Sequence, residues 1–230
     1  MARKKRGAVA RIIVTVGKLI AGFVLLSLLL TVIYRFVPVP ITLTMISDQN
    51  GITKDWTPLD QINRNMVSAV IAAEDGKFCS HWGFDAEAIE KAMKRNAQGG
   101  TLRGGSTISQ QTAKNVFLWQ NGGYIRKGLE AWFTLLIETI WGKRRIMEVY
   151  LNVAETGIGT YGVQAGAQRY FGKDAAGLSR IEAARIAAAL PLPKVRSVKS
   201  PTGFVRRYGN TIAARINTVQ GEGYDSCALP

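Results

Sequence analysis

The strongest constraint on this chain is an almost unbroken apolar run near its start, residues 12–34, closed by Arg35. As a helix it would reach roughly 34 Å, enough to cross the hydrocarbon of a bilayer. Lys18 interrupts it near the N-terminal end, where a lysine can lay its stem along lipid and lift its amine to the headgroups. Arg3, Lys4, Lys5, Arg6 and Arg11 precede the run. Such a basic cluster stays cytoplasmic, which places residues 36–230 on the outer side. A cleaved signal peptide is the competing reading. The run is long for one, and Phe36-Val37-Pro38-Val39-Pro40 offers no small-residue cleavage site. The expected order is a basic segment 1–11, an anchor 12–35, an extended linker 36–56, a soluble domain 57–220 and a tail 221–230.

Charge narrows the outer part further. The chain carries a formal +14, and no Asp or Glu precedes Asp48. Seven of the 30 Lys and Arg lie in residues 1–35, so the remainder keeps 23 basic against 16 acidic residues, a net +7. A basic domain beside a membrane suits anionic lipid, a phosphorylated substrate or nucleic acid. His81 is the one histidine, so no Cys–His metal set can be assembled. Cys79 and Cys227 could bridge or stay as two free thiols; the sequence leaves both open.

Beyond the linker the pattern is helical and strand-like alternation is scarce. Thr57-Pro58 predicts a capped start to a helix over 59–73. Asp85 could cap a second helix running to about residue 98, stopped by Gly99-Gly100. Further helices are expected over 107–117, 125–140, 144–153, 163–171 and 202–219. Ser179-Arg-Ile-Glu182 is a capping box ahead of an Ala-rich helix that stops at Pro191. The class is mainly α, in one domain.

Four stretches carry chemistry. In Glu74-Asp75-Gly-Lys-Phe78-Cys-Ser-His81-Trp-Gly83 two carboxylates follow an apolar helix. Negative charge at a helix C-terminus opposes the macrodipole, which raises a carboxylate pKa as a general base near neutral pH requires. His81 alone reads as a structural histidine bonding across a turn. Gly104-Gly105-Ser106-Thr107-Ile108-Ser109-Gln110-Gln111-Thr-Ala-Lys114-Asn115 turns through glycines into a helix N-terminus, a ready anion site. Gln110 with Lys114, and Gln111 with Asn115, share adjoining faces; so polar a helix is expected to pack poorly and to hydrogen-bond well. Arg126-Lys127-Gly-Leu-Glu130 sets Arg126 four residues from Glu130, by itself a local ion pair. In Lys143-Arg144-Arg145-Ile146-Met-Glu-Val-Tyr150-Leu151-Asn152 the apolar positions read as core and the basic ones as a solvated end.

In this order the four stretches resemble the signature blocks of the peptidoglycan glycosyltransferase family shared with bifunctional penicillin-binding proteins. Tyr161-Gly162-Val163 through Tyr170-Phe171-Gly172-Lys173 is similar to a fifth. The resemblance covers about residues 55–195, and the single anchor without a transpeptidase domain points to the monofunctional type. It implies a lysozyme-like helical fold with a cleft between two lobes, one partly set in the membrane. It also implies the reaction: a lipid II hydroxyl attacks the anomeric carbon of a lipid-linked strand, with inversion and loss of lipid pyrophosphate. By the same resemblance Glu74 is the base and Asp75 orients it. Glu130 is a second carboxylate at the donor's phosphate end, with a divalent cation such as Mg or Mn left open there and no cofactor obligatory. Lys114, Arg126 and Lys127 meet the pyrophosphate charge. Ser106, Thr107, Gln110, Gln111 and Asn115 hold sugar and phosphate oxygens, and Asn152 joins them through the fourth block. The implied partners are lipid II, the strand and membrane lipid, with cell-wall synthases open and nucleic acid excluded. The implied location is the bacterial inner membrane, single-pass, with a periplasmic domain.

Two further expectations attach to this resemblance. Phe117, Leu118 and Trp119 are candidates for an apolar patch resting on lipid. Family members commonly carry an Arg eight residues past the second block's lysine; here that position is Gly122, so a phosphate contact is missing. Two rival readings explain part of these features. A lytic enzyme would use Glu74 as an acid, and a non-catalytic basic tether explains the charge and anchor alone.

Overall fold

A computed structural model of the chain describes residues 2–97 and 105–229. It divides into two compact units, Met1–Val37 and Pro38–Pro230. The first is helix α1 (Ala2–Phe36). Its part Ala10–Phe36, 27 residues with an 18-residue stretch of mean hydropathy 2.4, is long and apolar enough to cross a membrane. The Ser27 and Thr31 hydroxyls donate back to the carbonyls of Val24 (2.8 Å) and Ser27 (2.7 Å), so neither brings an unmet donor into an apolar medium.

The second unit is mainly α. In chain order it holds α2 (Leu43–Ile46), β1 (Thr53–Lys54), α3 (Arg64–Glu74), α4 (Ala86–Ala97), α5 (Ile108–Phe117), α6 (Tyr124–Ile140) and α7 (Gly142–Val153). After these come β2 (Glu155–Gly157), β3 (Thr160–Tyr161), α8 (Val163–Phe171), α9 (Arg180–Ala189) and α10 (Gly203–Gly221). The strands form one small sheet ordered β1-β3-β2, with β1 parallel and β2 antiparallel to β3. α3 packs against α9 and α10. Met66, Val67, Val70 and Ile71 of α3 are buried, and so are Ala183, Ala184, Ala187 and Ala188 of α9. Those small alanines let helices approach closely. α5 packs against α6 and α7. The two helix groups meet where α3 ends and α5 begins, and that joint sets the site.

Several expectations need correction. The first helix does not start at residue 59. Pro58, extended at φ −55° and ψ 148°, leads into a single 3-10 turn, Leu59–Gln61, and α3 begins at Arg64 behind Asn63, whose side chain accepts from Asn65 N at 2.9 Å. The second helix does begin behind Asp85, which accepts from Ala88 N. Its expected end at residue 98, the glycine stop and Gly104 lie outside the described residues.

The stretch expected as an extended linker is packed within the second unit. Val39, Thr42, Met45 and Thr57 are buried, Lys54 donates to the Val39 and Pro40 carbonyls, and Trp56 lies between Lys54 (5.4 Å) and Arg145 (5.2 Å). Short β-branched and apolar residues gave no helical period, yet they are buried by packing. The expected tail is tied down as well. Buried Asp225 takes two bonds from Arg64 (2.9 and 2.8 Å) and one from Ser68 (2.8 Å). Cys227 is bonded to Cys79, with Cα atoms 5.5 Å apart across 148 residues of sequence.

α5 is a packing helix, against expectation. Its hydroxyls are satisfied internally: Ser109 donates to Glu138 at 2.5 Å and Thr112 to the Ile108 carbonyl at 2.8 Å. Nor are Lys143 and Arg145 at the opening of α7 a solvated end, though Arg144 between them stays exposed. Lys143 pairs with Glu138 at 2.7 Å and lies 4.6 Å over the Phe78 ring, Arg144 donates to the Ala228 carbonyl, and Arg145 pairs with Glu148. Of the expected lipid patch, Leu118 is buried and Phe117 stacks on Phe133 at 4.3 Å. Trp119 stays exposed at 45%, with Tyr124 and Ile125 more so at 97% and 82%.

Candidate active site

Asp75 is the C-cap of α3, and its carboxylate makes the joint. It accepts the Ile108 N–H at 3.0 Å and faces His81 Nε2 at 2.9 and 3.1 Å. Ile108 N belongs to the unpaired first turn of α5, where a negative charge is favoured. Thr107 caps the same turn and donates its hydroxyl to the Gly83 carbonyl at 2.7 Å. Gly83 has φ +78°, and a Cβ there would meet Thr134 Cγ2 at 2.7 Å, so the close approach of this loop to α6 requires glycine.

This joint aims Glu74 and α5 at one groove. Glu74 Oε2 accepts from Gln111 Nε2 at 2.9 Å. Gln111 is oriented from behind: the buried Tyr150 hydroxyl donates to its Oε1 at 3.3 Å. Burial pushes the Tyr150 phenol well up, so it keeps its proton and remains a donor. Burial also raises the Glu74 pKa, outweighing the Gln111 bond and the positive fields of Arg196 and Lys114. The direction is the one expected from the sequence; the main cause is desolvation. Lys114, one turn further along α5, is lowered by burial, with Glu130 and Glu74 opposing the shift.

The groove is a hollow of about 580 Å³. Ala73, Glu74, Gly105, Ser106, Gln111 and Lys114 line it together with Pro191, Leu192, Arg196, Phe204 and Tyr208. It continues past Gln111, Lys114 and Pro191 to Asn115, Gln120, Tyr150 and Glu155. Glu74 and Lys114 therefore share it. Beside it on α6, Glu130 is buried between Arg126 (Nη1 to Oε2, 2.7 Å) and Lys127, whose Nζ also donates to Ser106 Oγ at 3.1 Å. Arg126 Nε is buried without a hydrogen-bond partner.

Three expected ligand-holding residues are placed otherwise. Thr107 and Gln110 are buried and complete a capping box, each side chain bonding the other's backbone N–H. Asn152 bonds Thr57 N and O and the Glu148 carbonyl, each at 2.8 Å, and holds residue 57 to α7. Asp75 docks α5 and so acts on Glu74 through the backbone. The place of Arg196, Phe204 and Tyr208 in the groove was not found from sequence. Arg196 lies 4.1 Å over the Phe204 ring and donates to the Ala188 carbonyl at 2.7 Å, and Tyr208 donates to the Ala73 carbonyl at 2.9 Å. These residues sit outside every motif, and no local spacing ties them to Glu74.

A family model for transglycosylases matches residues 42–217 of the chain. The chain belongs to the transglycosylase family. It is 50% identical over 199 residues to the biosynthetic peptidoglycan transglycosylase of Caulobacter vibrioides, covering 85% of this chain and 87% of that one. It is 46% identical over 225 residues to that of Rhodospirillum centenum, covering 96% and 97%. With the Xanthomonas oryzae pv. oryzae protein of the same name it shares 54% identity over 169 residues, 74% of this chain and 69% of the other. The enzyme is thus a peptidoglycan glycosyltransferase of lysozyme-like, mainly α fold, and the groove around Glu74 is this transglycosylase's candidate active site.

Proposed function

We propose that this transglycosylase polymerises lipid II into β-1,4-linked glycan strands, with inversion and release of lipid pyrophosphate. The observation that carries the reading is Glu74: a desolvated carboxylate of raised pKa, held by Gln111, in one groove with Lys114. The acceptor hydroxyl gives its proton to Glu74 as its oxygen bonds the donor's anomeric carbon. The bond from that carbon to the pyrophosphate oxygen breaks, and its electron pair leaves with the phosphate. Cations that need no rearrangement are the most effective partners for such charge. Lys114 is half-buried in the groove, and Arg126 and Lys127 flank it, already ordered by Glu130. Ser106, Gln111 and Asn115 supply hydrogen bonds to sugar and phosphate oxygens.

Glu130 is a poor fit for a divalent cation, since its two oxygens already face Arg126 and Lys127. No group of three or more His, Cys, Asp or Glu gathers among the described residues. Helix α1 serves as a single-pass anchor, with the Arg- and Lys-rich start cytoplasmic and the catalytic unit on the periplasmic face of the inner membrane. Partners are lipid II, the lipid-linked strand and membrane lipid, the last met through Trp119, Tyr124 and Ile125.

Purified full-length protein incubated with lipid II, with and without Mg²⁺, tests the reaction when products are sized. Long strands and free lipid pyrophosphate are expected in both. Unchanged lipid II together with shortened fragments from finished wall would favour the lytic alternative.

A further inference from the structure

The Cys79–Cys227 disulfide has no part in the chemistry above, yet it ends on the segment that sets the groove's geometry. Cys79 lies in residues 75–83, between buried Phe78 and His81. From that segment Asp75 accepts the Ile108 N–H at 3.0 Å and Gly83 accepts the Thr107 hydroxyl at 2.7 Å. These two bonds seat the first turn of α5, which brings Gln111 against Glu74 and Lys114 into the groove. The segment contains no helix or strand and turns through Phe78 N to Asp75 O (3.0 Å) and Ser80 N to Lys77 O (2.8 Å). Turns of this kind open easily unless something else fixes them. At the other end, Cys227 sits in a C-terminal turn bound to α3 by Arg64 and Ser68 and to α7 by Arg144.

We propose that the Cys79–Cys227 disulfide is a positioning element for catalysis: it holds residues 75–83 where α5 must dock, and the oxidised chain is the competent form. This rests on the reading of Glu74 as the general base. A requirement for oxidation agrees with a domain on the outer face of the membrane. Reduction by a dithiol adds two electrons and two protons to the S–S bond, leaving two thiols, and the dithiol departs as its cyclic disulfide. With the link open, Asp75 and Ile108 are free to part, Gln111 moves off Glu74 and water reaches the carboxylate. Glu74 also faces Lys114 from α5, Tyr150 from α7, Arg196 from the segment after α9 and Tyr208 from α10, with Asp75 beside it. Loosening α5 changes the first of these and the burial.

The test compares three samples of full-length protein in detergent supplied with lipid II: oxidised, dithiol-treated, and the double substitution Cys79→Ser with Cys227→Ser. Thiols are counted by alkylation and mass, and far-UV circular dichroism confirms the helices. A bracing role alone would lower Tm and leave turnover unchanged. Positioning should lower kcat on the order of tenfold to a hundredfold, with KM changed less than about twofold. The acid limb of the pH profile should move toward the ordinary carboxylate range, and reoxidation should restore the treated parent but not the double variant. If the helical signal fades at the assay temperature, the comparison is made at a lower one where it is intact. A reduced, folded chain with the parent's kcat and acid limb overturns the proposal. An oxidised parent that makes no strands overturns the polymerase reading itself, and the positioning role falls with it.

Discussion

Glu74 works against its surroundings. Burial raises its pKa, so its ionised form costs the fold stability, and that ionised form is the one a base needs. The sign follows from linkage: a carboxylate raised on folding gives full stability below its unfolded pKa and loses it as pH rises through the folded value. Glu74→Gln should therefore melt higher than the parent at neutral pH, and the gap should close as pH falls into the ordinary carboxylate range. Thermal melts across that window check it. The parent's rate should fall on acidification at a pH above that range. Gln111→Ala should push this limb higher still, because it removes a hydrogen bond that favours the anion, as a pH–rate profile would show. Gly122 is a different case: at φ +152°, a Cβ would lie 2.9 Å from Arg126 Cβ. Gly122→Arg should therefore disturb Arg126 and lower the polymerisation rate. At this scale the motifs pointed to residues but not to which way they face. Glu74 and Lys114 line one groove, whereas Thr107, Gln110 and Asn152 are polar residues turned inward to hold backbone. A polar side chain looks the same in sequence whether it meets a ligand or a buried N–H.

Among the elements, α5 carries the most. Its start is held by the capping box and by Asp75, and its buried face by the bonds of Ser109 and Lys143 to Glu138. Glu138 and Lys143 are a nearly buried pair, 2% and 14% exposed in their side chains. Removing one partner leaves a charge without compensation, so Lys143→Met should cost about 3–5 kcal/mol in denaturant unfolding. Lys94→Met, which breaks an exposed pair on α4, should change stability by less than about 1 kcal/mol. Most helices were legible from their apolar period, and α8 begins and ends at the expected residues. The segment before α3 was not. Its buried residues sit in a short helix, a two-residue strand and turns, too brief to show a period, and only contact with the rest of the domain explains their burial.

On the scale of the molecule, a carboxylate from one helix group and a lysine from the other are brought into one groove. The two groups are joined by hydrogen bonds at the ends of α3 and α5, and a disulfide spanning 148 residues ties the segment after α3 to the C-terminal turn. The separation of Cys79 and Cys227 in sequence gave no measure of their distance in space. The +7 beyond residue 35 fits an anionic lipid-linked substrate, and turnover on vesicles should fall as salt rises, since exposed charges are screened over about 8 Å at physiological ionic strength. The most direct measurement is lipid II polymerisation by membrane-reconstituted Glu74→Gln beside the parent, with lipid II binding followed in parallel. The rate should fall about 10²–10⁴-fold with binding retained. Strands made at the parent's rate without the Glu74 carboxylate would contradict its role as the base.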